Sequence, residues 1–161
     1  MTPAIAAWGR LLLWAAVAVA LVAVVPVRRP TPVPGLPLAL TVGLVACVVL
    51  LFGLKPGLGV RRRSPVSVGV IVLLGVSALT EEAIWRRIVL GELLRLGWPT
   101  ALVASTLGFS LVHPTRRWLH LGTGAAFGGL YLGTGAFAVC VAAHWGYNAS
   151  VYLSRRPGGV S

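Results

Sequence analysis

The chain has 161 residues, 57% of them hydrophobic, a mean hydropathy of +0.89 and only 11% charged residues, where a soluble domain carries roughly a quarter. Lipid is therefore the expected solvent. The formal charge of +11 does not point to nucleic acid, because the basic residues punctuate apolar runs instead of gathering on one wet face. Arg28-Arg29, Arg61 to Arg63, Arg116-Arg117 and Arg155-Arg156 fall where loops between membrane spans would lie.

The acidic residues are more informative. There are three, Glu81, Glu82 and Glu92, with no Asp, and two of them are adjacent inside an apolar stretch. An ionisable side chain at membrane depth costs roughly 2.5–3.5 kcal/mol on insertion scales, so a carboxylate pair there marks a functional site by default. Cys47 and Cys140 lie within apolar runs without CxxC spacing and read as small buried hydrophobes.

Taken in chain order, the apolar runs predict an all-α, polytopic membrane bundle of about six spans. Trp8 to Val25 is the first, ended by the stretch holding Pro26, Pro30, Pro32, Pro34 and Pro37, which cannot continue a helix. It has the length of a signal peptide but no A-x-A site at its end, so a retained span is expected. Leu36 to Leu54 is the second, followed by a loop of Lys55, Pro56, Gly57 and Arg61 to Arg63. Val66 to about Leu90 is the third and carries both glutamates in its second half; Pro99 to His113 is a short fourth. Trp118 to Leu132 and Ala136 to Leu153 are the fifth and sixth, separated by Gly133, Thr134 and Gly135. Assigned to alternate sides, the loop charges divide nine against three, which predicts both termini in the cytoplasm.

Gly124/Gly128 and Gly129/Gly133 have the small-xxx-small spacing that lets helix backbones approach, read here as packing within one bundle. The run from Gly122 to Phe127 breaks the GxGxxG pattern at its last position, so nucleotide binding has no support.

Chemistry concentrates in the third, fourth and sixth spans. In Glu81-Glu82-Ala83-Ile84-Trp85-Arg86, Glu82 and Arg86 stand one helical turn apart and should pair. Glu81 points about 100° away around the helix and is the free carboxylate. Phe109 and His113 stand at i and i+4, with Pro114 placing His113 near the end of its helix. His144 and Asn148 are again i and i+4, on one face of the sixth span. Polar groups at membrane depth need one another, because lipid offers no partner.

These residues resemble the CPBP family of intramembrane proteases, which includes the type II CAAX prenyl endopeptidases and the bacteriocin-processing and immunity membrane proteins. The family pattern E-E-x-x-x-R, F-x-x-x-H and H-x-x-x-N reads here as E-E-A-I-W-R, F-S-L-V-H and H-W-G-Y-N. The glycine-rich stretch Phe127 to Gly135 is similar to the family's approach to its last motif. The resemblance covers roughly residues 66–153. It divides the chain into an N-terminal pair of spans (1–65), a catalytic helical core (66–153) and a basic tail (154–161).

The resemblance implies an endopeptidase in which Glu81 and His113 activate a water, Glu82 and Arg86 hold the site together with Phe109, and His144 and Asn148 face the developing oxyanion. It implies a membrane-associated protein or peptide as substrate; the composition makes lipid the other partner, and thirteen Arg against one Lys point to a GC-rich bacterial genome and so to a bacterial cytoplasmic membrane as the expected location. No cofactor is expected. The alternative is a zinc site built from Glu81, His113 and His144, since two histidines and a carboxylate suffice for catalytic zinc, although HExxH is absent. Readings from other classes are a catalytically idle immunity or peptide-binding membrane protein and a small transporter in which the glutamates relay protons.

Overall fold

The computed structural model describes residues 3–24, 26, 30 and 68–154. The second expected span, residues 36–54, lies outside them, as do Cys47, the Arg61 to Arg63 loop and the tail from 155 onward. The described residues are helical, with no strand among them.

Helix α1 runs Pro3–Val24, starting five residues before the expected Trp8. Pro3 stands at its first position, where the missing N–H costs nothing, and the Ala-rich turn that follows propagates readily. Leu12, Leu13, Trp14, Val17 and Val19 face outward, while Ala18 is buried where α1 lies against α2.

Helix α2 spans Val68–Leu96 and is the one helix among the described residues that is long and apolar enough to cross a membrane by itself. It is regular α-helix from Val68 to Glu82, and then widens into a π-helical stretch over Ala83–Leu90. The wider turn shows in the bond from the Gly91 N–H to the Arg86 carbonyl, five residues back. A tightened 3₁₀ turn, Leu94–Leu96, ends it at Gly97, whose φ of 91° and ψ of 150° suit glycine. The expected boundary near Leu90 falls short because Gly91 and Glu92 continue the helix.

Helix α3 follows at once, Trp98–Leu111, with Pro99 in its first turn. It stops before Pro114, which disfavours helical geometry at His113. Arg116 takes a left-handed conformation, φ 56° and ψ 42°, and opens α4, Arg117–Thr134. Gly135, at φ 62°, caps α4 by donating its N–H to the Tyr131 carbonyl at 2.8 Å. Helix α5 runs Phe137–Ser154. The starts and ends of α3, α4 and α5 agree with the sequence expectation to within two residues.

Helix α4 packs along α3, and α5 packs along α2. Glycines set the closeness. A Cβ on Gly128 would sit 2.6 Å from Leu102 Cδ1, and one on Gly124 would sit 3.2 Å from Phe109 Cδ1. A Cβ on Gly108 would sit 2.5 Å from the Trp85 ring, so α3 is gripped between α2 and α4. Gly129 and Gly133 face open space.

The core gathers Leu90, Ala101, Phe127, Leu130, Tyr131, Val139, Cys140, Ala143 and Tyr147. Polar residues are buried beside it, among them Glu82, Arg86, Ser105, Thr106, Thr123 and His144, while Val103, Leu107 and Leu111 form an exposed apolar stripe on α3.

Candidate active site

Glu82 is the most constrained polar group. Its Oε2 accepts from Arg86 Nε at 3.1 Å, and both side chains are 0% exposed. The expected pairing is thus present, but it is half of the arrangement. Glu82 Oε1 also accepts from His144 Nδ1 at 2.8 Å, which ties α2 to α5 across 62 residues of sequence. Arg86 lies 5.2 Å above the centre of the Phe109 ring, a cation–π contact that shelters the guanidinium. Its Nη1 and Nη2 have no hydrogen-bond partner among the described residues. Phe109 therefore supports the site by packing, against Arg86 on one side and His113 on the other.

Glu81 faces elsewhere, as one step of about 100° requires. Its Oε1 accepts from Ser77 Oγ at 2.9 Å, one turn earlier on α2. Its Oε2 looks toward two histidines, with His113 Nε2 at 3.6 Å and His144 Nε2 at 3.9 Å. Glu81 and His113 keep 26% and 28% of their side-chain surface exposed, so this carboxylate opens on a space that Glu82 never reaches.

The second nitrogen of each ring fixes its orientation. His113 Nδ1 lies 2.7 Å from the Phe109 carbonyl, which can only accept, so Nδ1 donates and Nε2 is turned to Glu81. His144 is set the same way by Glu82, and the Phe127 ring stacks on it at 4.7 Å with 21° between planes. Separations of 3.6 and 3.9 Å are too long for direct hydrogen bonds and suit a bridging water.

The space between them is a cavity of about 110 Å³, lined by Glu81, His113, His144 and Asn148 together with Phe127 and Tyr147. One water needs roughly 10–15 Å³ on this measure, so several waters or a peptide group fit. The structure thus brings together the four residues singled out for chemistry, with Glu82, Arg86 and Phe109 behind them. Among the described residues no group of three or more His, Cys, Asp and Glu side chains is arranged to hold a metal ion.

Sequence reasoning missed His120, the remaining histidine of three. It lines the same cavity and stacks on His113, with ring centres 4.2 Å apart and planes 22° from parallel. The available signal was its place one turn into α4, directly after the His113 loop. Cys140 is buried, its Sγ 3.7 Å from the Phe127 carbonyl, in keeping with a small hydrophobe.

The sequence model of the Type II CAAX prenyl endopeptidase Rce1-like family matches residues 63–150, more than half of the chain and all of the residues that line the cavity. No curated protein and no solved structure matches the chain significantly. The matched segment holds Glu81, Glu82, Arg86, Phe109, His113, His144 and Asn148. The chain belongs to the Type II CAAX prenyl endopeptidase Rce1-like family, a family of membrane-associated proteases.

Proposed function

We propose that the protein is an intramembrane endopeptidase of glutamic type, which hydrolyses a peptide bond in a membrane-associated protein or peptide without a bound metal. The observation that carries the reading is the placement of Glu81, the carboxylate not committed to Arg86, with its Oε2 3.6 and 3.9 Å from Nε2 of His113 and His144 at the wall of one cavity of about 110 Å³.

A water in that cavity, beside the two side chains, donates one hydrogen to Glu81 and one to His113 Nε2. As its oxygen attacks the scissile carbonyl carbon, Glu81 takes the first proton and the carbonyl π pair moves onto oxygen. The resulting oxyanion is met by the Asn148 amide and by His144 Nε2, which donates when it carries a proton. Such donors work strongly where water is excluded, and losing one typically costs about 100 to 1000-fold in rate. The tetrahedral intermediate then collapses. The C–N bond breaks as the proton held by Glu81 passes to the leaving nitrogen, giving a carboxylic acid and an amine. Glu82 stays outside these steps: both its oxygens are committed, to Arg86 and to His144.

The same reading places the chain in a bacterial cytoplasmic membrane as six spans with both termini cytoplasmic. The membrane location is supported by the apolar length of α2 and by exposed apolar side chains over buried polar ones, while the six spans and their orientation rest on the apolar runs and the loop charges of the sequence.

The test compares membranes containing the parent and the Glu81→Gln protein by proteomics of processed membrane proteins. Cleavage products present with the parent and missing with Glu81→Gln are expected. Identical product sets at equal expression would refute the assignment.

A further inference from the structure

We propose that His120 is a positioning residue whose ring, stacked on His113, holds His113 Nε2 toward Glu81. The inference rests on the endopeptidase reading above, and it concerns a residue outside the paired glutamates and the two i, i+4 motifs.

His113 needs such support because of where it stands. Helix α3 ends at Leu111, and His113 lies beyond it, directly before Pro114. No regular helix on either side fixes its side chain. The ring's one hydrogen bond to the described residues, from Nδ1 to the Phe109 carbonyl, anchors a single ring atom and leaves rotation about that contact open. Two aromatic contacts remove that freedom. Phe109 leans on the ring at 4.6 Å with 48° between planes, and His120 lies nearly flat against it at 4.2 Å and 22°. Phe109 and His120 themselves meet edge to face at 5.8 Å, so the three rings close into a triangle. Offset and edge-to-face contacts of this kind are worth about 0.5–1.5 kcal/mol each beyond area burial. That is enough to favour one ring orientation about twofold to tenfold, since 1.4 kcal/mol is a factor of ten.

The backbone is arranged to make this stack. Between α3 and α4 the chain turns at Arg116, the only described residue other than glycine with a positive φ. A left-handed conformation at such a residue is unfavourable by itself and persists where the surroundings require it. Here the Arg116 carbonyl accepts from the N–H groups of both Leu119 (2.9 Å) and His120 (3.3 Å), which fixes the first turn of α4. Ser110 Oγ donates to the Arg117 carbonyl at 3.0 Å and ties that turn back to the end of α3. His120 is thereby laid over His113. Its ring nitrogens make no hydrogen bond to the described residues, so the ring's contribution to His113 is its face.

The test uses the full-length protein in detergent with labelled histidine, which is tractable because the chain has only three histidines. Nitrogen chemical shifts of the His113 ring report which nitrogen carries the proton and whether the ring exchanges between orientations. His120→Phe keeps the stack without the nitrogens; His120→Ala removes it. His120→Phe is expected to retain the single His113 signature of the parent and to restore most of the Glu81-dependent cleavage. His120→Ala is expected to broaden or split the His113 signal and to lower kcat roughly tenfold, with KM unchanged, as misplacement of a catalytic group does. An unchanged His113 signature in His120→Ala would overturn the proposal. So would a loss in His120→Phe equal to that in His120→Ala, since the nitrogens and not the face would then be what matters. The spectra do not depend on turnover, so absence of cleavage in the parent would count against the endopeptidase reading while the His113 signals still decide the stack.

Discussion

Replacing Glu82 with Ala should destabilise the protein more than any other single change at the site. The side chain is fully buried and accepts from two groups, Arg86 Nε at 3.1 Å and His144 Nδ1 at 2.8 Å. Its loss leaves a guanidinium that is 0% exposed without its one ion-pair partner, and Arg86 Nη1 and Nη2 have no described partner to compensate. Removing one member of a fully buried pair costs about 3–5 kcal/mol. The lost His144 bond belongs to the same network and is not added separately. For a chain of this size each kcal/mol moves Tm by about 2–4 °C, so a fall on the order of 10 °C is expected. The assay is a thermal melt of the purified protein in detergent, followed by tryptophan fluorescence. Two comparisons isolate the cause. Glu81→Ala, at a partly exposed position facing the cavity, should melt close to the parent. Glu82→Ala combined with Arg86→Met removes both charges and should recover much of the loss, because apolar replacement of a whole buried pair is often neutral. A Glu82→Ala protein melting within about 2 °C of the parent would refute the reasoning.

Other outcomes follow from the same geometry. Purified enzyme should keep its activity after a strong chelator and carry no stoichiometric metal by elemental analysis; activity lost on chelation and restored by zinc alone would overturn the metal-free chemistry. Gly108→Ala places a methyl group 2.5 Å from the rigid Trp85 ring, so a loss of about 1–3 kcal/mol is expected from overpacking, read in the same melts. Reporter fusions at Ser161 should be active on the cytoplasmic side, and a periplasmic carboxyl terminus would rule out the six-span topology.

The helices from Trp98 onward were legible in the sequence because they carry their own punctuation. Pro99 starts α3, Pro114 ends it and Gly135 ends α4, and each acts through local backbone geometry that a sequence displays. The pairing of Glu82 with Arg86 was legible for the same reason, being one turn of a single helix. Contacts between helices were not. The bond from His144 to Glu82 joins residues 62 apart, and helical periodicity does not state which faces meet. The π-helical stretch over Ala83–Leu90 was hidden as well. Nothing in Ala-Ile-Trp-Arg-Arg-Ile-Val-Leu distinguishes a wider turn from an ordinary one, and such turns are set largely by packing. His120 escaped because its contribution comes from stacking across a loop.

The hydrogen bonds of the two glutamates bear on how the protein is assembled. Each carboxylate has a partner on its own helix, Glu81 with Ser77 and Glu82 with Arg86, both one turn away. A helix entering a bilayer ahead of its neighbours therefore need not carry two bare anions. One charge is cancelled by an Arg four residues on and the other is solvated by a hydroxyl, which lowers the cost of transfer before any tertiary contact exists. Helix α5 can then arrive later and complete the site, with His144 docking onto a carboxylate that α2 has already oriented. The sequence of α2 thus offsets its own charges locally, before any neighbouring helix is in place.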